Sequence, residues 1–165
     1  MSNRPLVTKY PRVTSRKFIT ASFVATVVIM ISFEWVKAGI GDGLMLDVIM
    51  SGADARARVA EMTDAHRLRH MIGTGVIDTL YPIAYGAFFA SSAARFASSK
   101  RWLLPALAAV LFDVLENTVQ FMALAGGPDL LDLKIVLTPL KFGAVLVSAA
   151  LALGLFVSSL LSREA

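Results

Sequence analysis

The chain has 165 residues, of which 56% are apolar and 17% charged, with a formal net charge of +4 and a mean hydropathy of +0.68. Soluble domains carry about 25% charged residues, so this balance excludes a water-soluble domain and, by the same arithmetic, a disordered chain. With no cysteine and only two histidines, disulfides, thiol nucleophiles, iron-sulfur clusters, cysteine zinc sites and a three-histidine metal site within one chain are excluded as well.

The N-terminal segment carries Arg4, Lys9, Arg12, Arg16 and Lys17 and leads into the first of four apolar stretches, residues 18–36, 72–96, 102–124 and 135–161. Each provides the roughly 20 residues with which an α-helix crosses about 30 Å of hydrocarbon. None alternates in polarity as a membrane strand would, which leaves helices. Val36-Lys37-Ala38 before Gly39 resembles a cleavage site. However, the apolar run exceeds the usual h-region of about 7–15 residues, and Glu34 and Trp35 stand where cleavage signals place small neutral residues, so an uncleaved anchor is expected.

Residues 37–71 are the one sizeable polar connection. Gly39, Gly41 and Gly43 end the first helix, and Leu44, Leu46, Val48 and Ile49 form a short apolar stretch suited to the membrane surface. Residues 53–62 favour a helix, with Asp54–Arg58 and Arg58–Glu61 spaced for intrahelical ion pairs. His66, Arg67, Arg69 and His70 read as a cationic interfacial edge. In this connection Lys37, Arg56, Arg58, Arg67 and Arg69 balance Asp42, Asp47, Asp54, Glu61 and Asp64, and the last connection sets Lys134 against Asp129 and Asp132. Basic excess is confined to the N-terminus and to Arg95, Lys100 and Arg101, and the positive-inside rule makes both places cytoplasmic. The charge then expresses topology, and no nucleic-acid partner is expected. The fold expected is all-α: a four-helix transmembrane bundle forming one integral membrane domain, 1–165, with both termini cytoplasmic and a short outward helical segment between spans one and two.

Ionisable residues inside a membrane are expensive, and this chain has several. Asp78, Tyr81 and Tyr85 recur at i, i+3 and i+7 on the second stretch; Asp113, Glu116, Asn117 and Gln120 at i, i+3, i+4 and i+7 on the third; Thr138, Pro139 and Lys141 stand on the fourth. At about 1.5 Å per residue from the outer ends, Asp78 and Lys141 lie roughly 9 Å deep, Asn117 roughly 10 Å and Glu116 roughly 12 Å. The costly groups of three helices thus share one layer. Asp78, Asp113 and Glu116 against Lys141 leave an excess of negative charge, which demands bound protons or a cationic ligand. These four are the candidate chemical residues, with Tyr81, Tyr85, Asn117, Gln120 and Thr138 as candidate ligand contacts; the polar amides and hydroxyls serve equally well as hydrogen-bonded glue between helices. No metal site and no cofactor are expected.

The set Asp78-x-x-Tyr81-Pro82-x-x-Tyr85, Asp113-x-x-Glu116-Asn117 and a lysine in the last span resembles small four-span bacterial integral membrane proteins of unassigned activity. The resemblance covers residues 78–141, implies an integral membrane protein and transfers no catalytic role; the location expected is a bacterial inner membrane. Four-helix quinone reductases of the vitamin K type depend on paired cysteines, which are absent here. The function expected is an outward-opening intramembrane pocket handling a lipid-like or amphipathic, including cationic, small molecule, as a membrane-embedded enzyme or carrier in contact with membrane lipid. The competing expectation is a non-catalytic subunit or assembly factor, paired with itself or with another membrane protein, whose polar network is structural.

Overall fold

The computed structural model describes residues 6–41 and 44–161; Arg4, Asp42 and Gly43, named above, lie outside them. Among the described residues the chain is helical and without strands. The helices are α1 (Leu6–Lys9), α2 (Arg16–Lys37), α3 (Gly52–Glu61), α4 (Asp64–Ile72), α5 (Asp78–Phe96), α6 (Leu104–Leu124) and α7 (Lys134–Leu161). Side-chain oxygens of Ser15, Ser51 and Thr63 accept the orphan amides of Phe18, Asp54 and His66 and so start α2, α3 and α4. Pro105 stands in the first turn of α6, where no intrahelical donor is needed. Gly41, at φ +78°, supplies the left-handed conformation that turns the chain away from α2.

Three segments are long and apolar enough to cross a membrane: Arg16–Lys37, Lys100–Leu124 and Leu131–Ser158. The second expected stretch, α5, is not among them, because Asp78, Tyr81, Pro82, Tyr85, Ser91, Ser92 and Arg95 dilute its apolar character. The continuous helix that contains it starts earlier than the expected residue 72: α4 continues through a wide π turn, Gly73–Ile77, into α5.

The polarity is inside out. Asp78, Asp113, Glu116, Gln120, Lys134 and Lys141 are buried, whereas Ile31, Ile83, Leu107, Leu146 and Leu153 are more than half exposed. In water this arrangement would leave large apolar faces unpaired; lipid chains cover them without cost. Helix α6 packs on α7 and α5, and α2 packs on α5 but not closely on α7.

The segment that connects α2 to α5 folds down on the other helices. Leu46 is fully buried with Ala55, Met62, Val119, Leu124 and Leu131, so the stretch expected on the membrane surface is in part core. The reason is polar: the Leu46 amide donates to Nε2 of buried His70 at 3.1 Å, which pulls the loop inward. Nor do the basic residues form a free cationic edge. Arg69 stacks 3.5 Å over the Trp35 ring and donates to the Trp35 carbonyl at 2.6 Å, and Arg67 donates to the Val59 carbonyl. Arg58 reaches the Ile40 carbonyl at 2.6 Å and stands 4.0 Å from Glu61, so backbone acceptors take the place of the expected Asp54 pair. Arg56 grips Asp129 at 2.5 Å and Asp132 at 2.7 Å and holds both carboxyls below their usual range. The segment is thereby tied to the end of α2 and to the α6–α7 connection.

Candidate functional site

The polar residues of α6 and α7 build a clamp around Glu116. Its carboxylate is fully buried and accepts from Lys134 and, at 2.5 Å, from the Thr138 hydroxyl, while Lys141 Nζ stands 2.6 Å from the other oxygen. Lys134, Thr138 and Lys141 succeed one another at i, i+4 and i+7 along α7, which aligns them on one face. Lys134, expected in the outer connection opposite Asp129 and Asp132, instead lies fully buried at the first turn of α7. Its ammonium group changes the balance: Asp78, Asp113 and Glu116 face two lysines, leaving an excess of one negative charge where two were expected.

Asp113, one turn deeper on α6, accepts from the Tyr85 hydroxyl at 2.8 Å and has Lys141 Nζ 3.9 Å away. Asn117 performs a different task. Pro82 has no N–H, so the Asp78 carbonyl four residues before it loses its helical donor. The Asn117 amide replaces that donor at 2.6 Å. Asn117 therefore repairs a proline defect and joins α6 to α5 through the backbone. Gln120 is fully buried, and neither of its amide atoms has a hydrogen-bond partner.

Beside the clamp lies a cavity of about 1090 Å³. Its walls come from α2, α5, α7 and, through Asp113, α6, with Leu44, Met45, Asp47 and Val48 of the connecting segment also lining it. Helices α2 and α7, which both line it, do not pack closely together. One wall is a chain of aromatic rings at centroid separations of 5.2–6.1 Å, running from Phe33 through Tyr81, Tyr85 and Phe89 to Phe88 and Phe23. Asp78, Asp113 and Lys141 face this space together with Asp47, Glu34 and Lys37. Glu34 and Lys37 neutralise each other at 2.7 Å. Asp78 is 3% exposed, and its Oδ2 has no hydrogen-bond partner, nor has Oδ1 of Asp47.

The expected residues thus divide. Asp78, Asp113, Lys141, Tyr81 and Tyr85 line the cavity; Glu116, Asn117, Gln120 and Thr138 stand behind it, in the joint between helices. Sequence reasoning missed Lys134, although its spacing to Thr138 and Lys141 was a usable signal. It also missed Asp47 and the aromatic wall, which depend on contacts between distant segments. Among the described residues no group of three or more His, Asp and Glu side chains is disposed to hold a metal ion. Comparison with family models, curated proteins and solved structures finds no match to this chain.

Proposed function

We propose that the chain is a four-span protein of a bacterial inner membrane, with both termini cytoplasmic, whose cavity handles a lipid-like or amphipathic molecule as a membrane-embedded enzyme or carrier. The observation that carries this reading is the pairing of a large apolar, aromatic-walled space with Asp78, Asp113 and Lys141. Ligand sites are typically apolar volumes of about 300–1,000 Å³ with a few convergent polar groups. In this reading the gap between α2 and α7, which do not pack closely, serves as a side entrance for a molecule that arrives from the bilayer. In an enzyme, Asp113 would exchange a proton with the substrate, with Tyr85 holding the carboxyl in place, Asp78 would act as its charged partner, and Lys141 would stabilise developing negative charge. In a carrier, the same carboxyls would trade a proton for a cationic cargo. Helix α5 serves as the fourth span in this reading: Leu80 and Ile83 face outward at 49% and 55% exposure, as a lipid-facing side requires.

The clamp favours a second reading for part of the site. Lys134 and Thr138 donate to Glu116, Asn117 donates to the α5 backbone, and all four stand off the cavity, as they would in a subunit whose polar network serves assembly. Native mass spectrometry of the intact chain in mild detergent separates the two. A specific small molecule retained by the protein, and lost in a folded Asp113→Asn variant, supports the pocket. A bare chain, or one that carries another protein in fixed ratio, overturns it.

A further inference from the structure

We infer that the amphiphile taken by the cavity carries a cationic ammonium head, seated between Asp78 and Asp47, with its tail lying along the aromatic wall. This rests on the reading of the cavity as an amphiphile site and adds the chemistry of the head.

Charge complementarity is the argument. Of the acids and bases that line the cavity, Glu34 and Lys37 pair with each other, and Lys141 is held at 2.6 Å by Glu116, with Asp113 at 3.9 Å. An anionic head would find no cation that is not already engaged. Asp78, Asp47 and Asp113 each present a buried carboxyl oxygen without a hydrogen-bond donor; that of Asp113 has Lys141 Nζ 3.9 Å away, whereas those of Asp78 and Asp47 are in no ion pair among the described residues, and Asp78 is nearly fully enclosed. A buried carboxylate oxygen left unpaired is costly, and an ammonium group supplies both the charge and the N–H donors. The nearest aromatic groups agree: Phe33, Tyr81 and Tyr85 form successive edge contacts and offer π faces next to the carboxyls, the surroundings in which ammonium groups bind.

The tail follows from the wall. From Asp78 to Phe88 along α5 is roughly 15 Å at about 1.5 Å per residue, close to half of the about 30 Å hydrocarbon core. The groove therefore matches the chains of one leaflet, and Phe23, Met30, Phe142 and Val145 line its remainder.

The test uses the full chain in a neutral detergent and three twelve-carbon probes of equal tail: dodecyltrimethylammonium, dodecanol and dodecanoate. Binding is counted by native mass spectrometry for the wild type, for Asp78→Asn, for Asp47→Asn and for Val145→Trp, which fills the groove. The expected result is one ammonium ligand bound at least tenfold more tightly than the alcohol or the carboxylate. That preference should collapse in Asp78→Asn and weaken severalfold in Asp47→Asn, which keeps the test decisive should the buried Asp78 variant fail to fold. All three probes should be lost in Val145→Trp. Equal binding of the three, all displaced by Val145→Trp, refutes the ammonium head while leaving the amphiphile cavity standing. No binding, or binding that Val145→Trp does not affect, refutes the cavity reading and this inference together.

Discussion

Replacing Lys134 by Met tests the clamp directly. The substitution keeps the bulk of an unbranched side chain but removes one of two cations from a fully buried carboxylate and takes the excess in the cluster from one negative charge to two. Removing one partner of a buried ion pair costs about 3–5 kcal/mol, because the other charge stays behind in low dielectric. Thr138→Val deletes a neutral donor to the same oxygen, at 2.5 Å, and a hydrogen bond to a charged group is worth about 1.5–3 kcal/mol. Lys37→Ala breaks an exposed i,i+3 pair, worth about 0–1 kcal/mol. The expected order of destabilisation is therefore Lys134→Met, then Thr138→Val, then Lys37→Ala. The double variant Lys134→Met with Glu116→Gln should lose less than the sum of its single variants, since the amide leaves no stranded charge. Unfolding in mixed micelles titrated with dodecyl sulfate and followed by far-ultraviolet circular dichroism reads these values. A Lys134→Met cost below about 1 kcal/mol, or strict additivity in the double variant, would refute the clamp as a joint between α6 and α7.

Two further outcomes follow from the outer segment. His70 accepts the Leu46 amide at Nε2, so its proton sits on Nδ1, facing the Thr74 hydroxyl at 3.1 Å; burial, with Arg58 and Lys134 nearby and Asp47 opposing them, holds the ring below its ordinary value. Because the folded form disfavours the proton, the stabilisation is complete above about pH 6.5, the unfolded value. It is lost as the pH falls below that, when Nε2 gains a proton and can no longer accept. Hydrogen exchange at the Leu46 amide, corrected for intrinsic rate, should accelerate severalfold between pH 7.5 and pH 5, and a pH-independent protection factor would show that His70 does not latch the loop. Gly52→Ala should destabilise the outer segment by about 1–3 kcal/mol through overpacking, since a Cβ there falls 2.9 Å from the backbone N and Cα of Asp132. Helix propensity alone argues the opposite sign, by up to about 1 kcal/mol, so an equal or raised melting temperature would refute the close contact.

The helices were legible because hydrophobic length is a local property. The stretches 18–36 and 135–161 match the ends of α2 and α7 to within two residues, and the depth count placed Asp78 and Asn117 in one layer, where Asn117 meets the Asp78 carbonyl at 2.6 Å. What local pattern did not carry was pairing across the chain. Lys134 looked like a loop cation because it precedes the apolar run by a single residue and has Asp129 and Asp132 close in sequence, whereas its carboxylate partner is eighteen residues back on α6. His70 looked interfacial for the same reason, its acceptor role depending on Leu46, twenty-four residues away. The cavity depends on which helices are neighbours, and the absence of close α2–α7 packing is written in no single helix.

The repair at Pro82 has a consequence for how this site can be varied. The height of residue 78 is set by its backbone carbonyl, which Asn117 holds, and not by the side chain that projects from it. Position and chemistry are therefore separable there: the Asn117 contact to the backbone of residue 78 does not depend on which side chain that residue carries. Under the proposed reading, a protein built in this way changes the kind of head group it admits by a single substitution, without rebuilding the walls proposed to receive the tail.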